Sequence, residues 1–526
     1  MRYAWLLLLT LPLHSQVTYN DLLTSPAEYW TTYHGDYRAH RFSPLKQIDT
    51  RTVSRTVPKW TFHVEGARRL ETSPVVFDGV MYVTNSNTVY ALDARTGKSI
   101  WKYKDQFAAK EGVNRGVAIL GDSVYFVTAD CYLVSLHRTS GAILFHRKFA
   151  DVNQGYFATL APLALRDQVI VGVSGGDSGM RGFVAALSAR DGNERWRFYT
   201  VPAKGEPASE TWGEFDTQWG GGATWMTGTY DPELNTLYWA TGNPWPDYKG
   251  GGRRGANLYT DSVVALDAAT GKLKWYFQFT PHDTHDWDAQ SIPVLVDLEF
   301  DGRPRRVLLH PNRNGFFYVL DRVTGQFLCA TPFVEKLDWA KGIDASGKPI
   351  EIPDMQPVPG GRRVCPSVRG ASNWMSPSYS PITKLLYVPA LEECDLYTEA
   401  VQNPEPMKDL EGGGAESIPD EPGKFYLRAL DPVSGKRVWQ YPMTGRAEMW
   451  AGALSTAGGL VFFGDDDGSL VALEASTGKY LWHYYMAQTL TASPITYSVG
   501  GSQYVAIAAG TEIFAFGLLE PGTNQP

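Results

Sequence analysis

Seven times along the chain an apolar strand end runs into a short polar stretch and resumes on a bulky apolar residue. The copies read ALDARTGKSIW ending at Trp101, SLHRTSGAILF at Phe145, ALSARDGNERW at Trp196 and ALDAATGKLKW at Trp275. VLDRVTGQFLC at Cys329, ALDPVSGKRVW at Trp439 and ALEASTGKYLW at Trp482 complete the set. In every copy a glycine (97, 141, 192, 271, 325, 435 or 478) stands four residues before the last position. The pattern predicts a β-hairpin: a strand closing on an apolar residue, a turn whose glycine supplies positive φ, and a strand opening towards the bulky residue. The shorter glycine intervals, 43 to 54 residues, suit a four-stranded propeller blade of roughly 40–50 residues. The gaps 192–271 and 325–435 must carry insertions. VPKWTFHV around Trp60 reads as an eighth outer strand, and QYVAIAAGTEIFAFG near the C-terminus completes that blade. The expectation is an all-β, eight-bladed β-propeller over residues 16–526, closed so that no sheet edge is left free. Seven blades is the alternative, one for each phrase. Trp101, Trp196, Trp275, Trp439 and Trp482 are expected between blades, buried and away from any axial pocket.

Composition narrows the class. Of 526 residues, 52 are glycine, 17 are tryptophan and 43% are hydrophobic, which is turn-rich and globular. The net charge of −8 leaves no basic footprint for nucleic acid. An acidic surface suits a basic protein partner, and it equally suits plain solvation. MRYAWLLLLTLPLHS places Arg2 before an apolar run from Ala4 to Leu13 and a small Ser15. Residues 1–15 therefore read as a secretory signal, too short to span a bilayer, and no later stretch reaches eighteen apolar residues. The expected product is exported, with no membrane span. Four cysteines (131, 329, 365 and 394) then face an oxidising compartment. None shows the spacing of an attached haem. Cys365 and Cys394 bracket a loop and strand and are the candidate disulfide. Cys329, at a repeat's tryptophan position, is expected to be a buried free thiol, and Cys131 a core residue.

TPHDTHDWDA, residues 280–289, sets Asp286 and Asp288 one residue apart, just after Asp283 and two histidines. Such charges repel unless a cation or reacting group stands between them, although loop aspartates commonly serve as turn caps. TGNPWPD sets Asn243 after an apolar strand, where Asn-Pro also signals an ordinary turn. Arg313 in LLHPNRNGFFYVLDR is by pattern a turn arginine.

These motifs, the repeat phrase, WTTYHGDYRAHRFSPLKQI and MWAGALSTAGGLVFFGDDDG together resemble the pyrroloquinoline quinone (PQQ) dependent alcohol dehydrogenases of the methanol and ethanol dehydrogenase type. The likeness covers nearly all of the chain beyond residue 15. It implies PQQ stacked on Trp225, with Trp450 near its other side. It implies Arg115, Glu71, Thr159, Ser174, Gly175 and Gly176 as further cofactor contacts. Arg313 is implied beside the quinone's reactive oxygen, and Asp286 as the general base that takes the alcohol's hydroxyl proton. Metal ligands are implied at Asp177, Asn243, Asp286 and Asp288, for Ca2+ or a lanthanide(3+) ion. Asp288 matches the extra aspartate of the lanthanide-using branch and favours the trivalent ion. Asp177 departs from the family's glutamate and is one methylene shorter. Ala109 and Lys110 stand where the family often has two adjacent cysteines.

The implied reaction is oxidation of a small alcohol to its aldehyde, with the metal as Lewis acid. Electrons would pass to a separate cytochrome c in the periplasm. The alcohol's size and the oligomeric state leave no mark in the sequence. A non-catalytic quinoprotein-like propeller serving as a binding or assembly scaffold is the alternative. It would keep the repeat phrase without needing Arg115, Asn243, Arg313 and the Asp286/Asp288 pair together. A glycan-degrading propeller with paired carboxylates is a second alternative.

Overall fold

The hairpin phrase folds as its residues dictate. In the fourth copy Ser262–Asp267 pairs antiparallel with Leu273–Gln278. Asp267 Oδ1 accepts from the N–H groups of Ala269 and Thr270 and from the Thr270 hydroxyl. Gly271 then donates its N–H back to the Asp267 carbonyl. Asp93, Asp321 and Asp431 tie their turns in the same way. The seven glycines hold φ between 67° and 77°, where a side chain is strained.

A computed structural model describes residues 16–108, 111–400, 405–408, 413–445 and 450–519. The architecture is all-β and of propeller type. Among the described residues eight sheets have four or five strands, beside one three-stranded and one two-stranded sheet. Within most of the eight, strand order follows the chain, as in Thr229–Asp231, Thr236–Ala240, Ser262–Asp267 and Leu273–Gln278. One sheet joins the two ends of the chain: Thr56–His63 pairs with Glu512–Leu518, which continues into Ser502–Ala509 and Ile495–Val499.

Five tryptophans dock on the hairpin of the following sheet. A Cβ added at Gly271 would lie 2.4 Å from Trp196, and the Trp196 indole donates to the Ala268 carbonyl at 3.1 Å. Trp60, Trp101, Trp275 and Trp439 repeat this against Gly97, Gly141, Gly325 and Gly478, donating to Ala94, Arg138, Arg322 and Ala475. Burial is less complete than the pattern predicts. Trp196 and Trp482 are buried, whereas Trp101, Trp275 and Trp439 are half-buried. These five lie on the outermost strands of their sheets, where cover is less complete than in the sheet interior.

The same reason corrects Cys329, which is half-buried and not buried. Its thiol contacts the Val433 carbonyl, in place of an indole. Cys131 is buried and keeps its thiol. Cys365 and Cys394 are bridged, with sulfurs 2.00 Å apart, and stand 29 positions apart in sequence. Residues 1–15, read as a signal, and Ala109 and Lys110 lie outside the described residues.

Candidate functional site

The loops between second and third strands, and the connections between sheets, bring the predicted residues together. A cavity of about 230 Å3 is lined by Arg115, Thr159, Ser174, Gly175, Gly176, Asp177, Trp225, Asp286, Asp288 and Arg313, with Phe157 and Ala223 added. Glu71, Asn243 and Trp450, the other three predicted positions, stand behind this lining. The lining residues come from four separate connections and two strand-joining loops, so no single segment makes the site.

One end is cationic and hydroxylated. Arg115 pairs with buried Glu71 at 2.7 Å and donates to Thr159 Oγ1 at 2.6 Å. Thr159 Oγ1 lies 3.1 Å from Ser174 Oγ. The Arg115 guanidinium sits 5.0 Å from the Trp225 ring and 4.9 Å from that of Trp374. Trp374 in turn stacks on Trp450, rings 5.8 Å apart. An arginine backed by a carboxylate and flanked by hydroxyls suits a carboxylate-bearing ligand. The buried Arg115 Nε has no acceptor of its own.

The other end is acidic. Arg313 Nη1 donates to the Asp286 backbone carbonyl at 2.6 Å and lies 3.4 Å from Asp288 Oδ2 and 3.7 Å from Asp286 Oδ1. Asp288 Oδ1 accepts from the Asn243 N–H at 2.7 Å, and Oδ2 from the Trp225 indole at 2.9 Å. Asp283 does not face the cavity: its oxygens accept the N–H groups of His285 and Trp287 and cap the loop. Gly175 holds φ +111°, and a Cβ there would fall 2.2 Å from the Gly155 carbonyl. That close approach seats the turn carrying Asp177.

Crowding shows in the protonation equilibria. Burial first, then the charge of Asp288, pushes Asp177 up to about 6 against the pull of Arg313; the surface Asp177 exposes faces the cavity. Burial, with Asp177 next, carries Asp286 well above the usual carboxylate range, Arg313 opposing. Asp288 is raised by burial despite Arg313 and its two N–H donors. Asp247 is carried well above by burial and by Asp177. Burial works against the Arg313 charge, but Asp288, Asp286 and Asp177 together raise its pKa.

Three carboxyls around one guanidinium, with Asp247 just behind them, leave room for more positive charge. The buried Asn243 Oδ1 has no hydrogen-bond donor, and an orphaned amide oxygen beside carboxylates is a donor set for a hard cation. Among the described residues no three His, Cys, Asp or Glu side chains are close-set enough to cage an ion alone. An ion here needs further oxygens from a bound molecule or water. The residues fit such a group in chemistry, and the cationic end fits an acidic planar ligand over Trp225.

Sequence reasoning missed Asp247, Phe157 and Trp374. Trp374 carried a usable signal, since it is a tryptophan outside the repeat phrase, as Trp225 is. Asp247, four residues beyond Asn243, was hidden in a segment that reads as a turn.

Residues 30–336 and 439–505 match the family described as PQQ: glucose/ethanol/alcohol dehydrogenase, beta-propeller domain. The quinoprotein alcohol dehydrogenase PedH of Pseudomonas putida is 35% identical over 531 residues, covering 94% of this chain and 89% of that protein. The structure of the quinohemoprotein alcohol dehydrogenase ADHIIG from Pseudomonas putida is similar, with a TM-score of 0.89 at 33% identity, across 97% of this chain and 85% of that one. A europium-containing methanol dehydrogenase has a TM-score of 0.88 at 31% identity, across 95% of this chain and 100% of that one.

Proposed function

The chain belongs to the PQQ-dependent alcohol dehydrogenase family, and from that premise we propose that it oxidises a small alcohol to the aldehyde in the periplasm and passes the electrons to a separate cytochrome c. The observation that carries the reading is one cavity, with an arginine and hydroxyls at one end, the three carboxyls of Asp177, Asp286 and Asp288 and Arg313 at the other, and Trp225 between. When bound there, PQQ supplies the two-electron oxidant, and its metal ion the Lewis acid that polarises it.

The chain's own residues have separable tasks. Arg115, fixed by Glu71, would hold a cofactor carboxylate together with Thr159 and Ser174. Gly175 and Gly176 allow the backbone close to it. Trp225 would be its floor, oriented by the hydrogen bond to Asp288, and Trp450 supports the opposite side through Trp374. Asp286 takes the hydroxyl proton of the alcohol. Arg313 braces the Asp286 backbone and offers positive charge where negative charge develops. Asp177, Asn243, Asp286 and Asp288 would hold the ion. A carboxylate oxygen has lone pairs to spare beyond one N–H, so Asp288 can ligate while keeping its bonds to Asn243 and Trp225. The eight four- and five-stranded sheets read as eight blades, closed where the chain ends meet, and residues 1–15 as the export signal.

The ion is best read as a trivalent lanthanide. Coulomb attraction scales with ion charge, so a +3 ion gains more than Ca2+ from the third carboxylate. The europium in a structurally similar methanol dehydrogenase fits that reading. Dye-linked oxidation of a panel of alcohols, after reconstitution with PQQ and either calcium or lanthanum, tests both parts. PQQ-dependent activity should be higher with lanthanum, and Asp288→Ala should narrow or reverse the preference. Equal activity with either ion, in wild type and Asp288→Ala alike, sinks the lanthanide assignment. No bound-quinone absorption and no alcohol oxidation sinks the enzyme.

A further inference from the structure

Asp247 is 5% exposed and stands beside the ion-binding end without lining the cavity. Its Oδ1 accepts from Asn243 Nδ2 at 2.7 Å. A side-chain amide has one donor end and one acceptor end. A carboxylate that captures the donor end turns the acceptor end away from itself. The acceptor so released, Asn243 Oδ1, is the buried oxygen without a donor. It points towards the loop of Asp177, since a Cβ at Gly176 would lie 3.8 Å from it. With an ion bound and the carboxyl therefore ionised, the flipped amide would set two acceptors against each other at Asp247 and aim N–H groups at the ion.

The carboxyl is itself seated. Arg253 is fully buried and donates Nε and Nη2 to the carbonyl of Pro246, the residue before Asp247, at 3.3 and 2.9 Å. The same Nη2 donates to the Asp283 carbonyl at 2.5 Å, and Nη1 to Asn257 Oδ1 at 2.7 Å. One guanidinium thus ties the loop of Asn243 to the loop of Asp286 and Asp288. The Asn243 backbone is pinned as well, its N–H on Asp288 and its carbonyl accepting from Gly222. The remaining freedom of Asn243 is the turn of its amide.

We infer that Asp247, seated by Arg253, is a positioning residue that fixes the Asn243 amide so that its oxygen faces the ion. The inference rests on the ion site proposed above. Partners one step removed from a metal ligand typically alter affinity 10–100-fold when lost, because the ligand must then be oriented at the moment of binding.

The test is a double-mutant cycle on terbium affinity, measured by chelator competition on the PQQ-loaded protein, with thermal melts to check folding. Asp247→Asn should weaken binding about tenfold. On an Asn243→Ala background, where no amide remains to orient, the same change should alter affinity less than about twofold. Wild-type affinity in Asp247→Asn overturns the inference. So does an undiminished loss on the Asn243→Ala background, which would make Asp247 a direct ligand. A wild type that binds no terbium removes the ion site, and this inference with it. Should Asp247→Asn not fold, Arg253→Lys serves in the same cycle: it frees Pro246 while keeping the carboxyl, and the same pattern of loss is expected.

Discussion

Asp286 and Asp288 are one residue apart and differently occupied. Asp288 has both oxygens committed, to Asn243 and to Trp225. Asp286 uses only its backbone carbonyl, while its side chain stays 21% exposed on the cavity side, 3.7 Å from Arg313. A general base needs an uncommitted oxygen within reach of substrate, and Asp286 has one. Asp286→Asn should therefore lower kcat by at least about a hundredfold, the usual scale of lost general-base catalysis, with the melting temperature retained. Near-wild-type turnover in steady-state assays would put the base elsewhere. At this scale much was legible, because TPHDTHDWDA and TGNPWPD carry their chemistry in adjacent letters. The Trp225–Asp288 and Arg115–Glu71 contacts join residues 63 and 44 apart, and no local pattern encodes which partner an indole or a guanidinium meets.

Hairpin and indole form the repeating element, and its cost of disruption can be separated from simple backbone strain. Gly271 and Gly302 have nearly equal φ, +69° and +70°. A Cβ at Gly271 meets Trp196 at 2.4 Å, whereas one at Gly302 meets nothing within 4 Å. Both alanine substitutions incur the left-handed penalty of about 1–2 kcal/mol. Only Gly271→Ala must also push an indole off its seat, at about 1–3 kcal/mol more, the range for overpacking. Urea unfolding of the two variants should show Gly271→Ala losing more, and equal losses would discard the docking role. These elements were legible because turn chemistry and the bulky residue lie within eleven letters. The exposure of Trp101, Trp275 and Cys329 was not, because periodicity reports which face is apolar and not how far the next sheet covers it. The small sheet of Arg362–Val364, Asp395–Thr398 and Gly414–Ser417 was also missed. Its strands lie 33 and 19 residues apart by their first positions, with no phrase to mark them.

Across the whole molecule charge is unevenly placed, and that sets how stability responds to pH and to an ion. A carboxyl whose pKa is raised on folding binds its proton more tightly folded than unfolded. Its contribution to stability is then present at low pH and lost as pH rises through the raised value. For Asp177 that window runs from 3.8 to about 6; Asp286, Asp288 and Asp247 are shifted the same way. The ion-free protein should lose stability as pH climbs from about 4 through this range, the carboxylates repelling one another as they ionise. An ion needs the ionised forms, so its affinity climbs over the same range and loading expels protons. Ligand affinity adds directly to the folded state's stability. The rise in Tm on adding lanthanum, relative to the same protein in chelator, should therefore be larger at pH 7.5 than at pH 5. Asp465, carried up to about 8 by burial and by Asp466, steepens the ion-free curve. It lies outside the cavity lining and so cancels in the difference. Equal gains at both pH values would mean that the ion does not bind at these carboxyls, whatever the charge of the pocket.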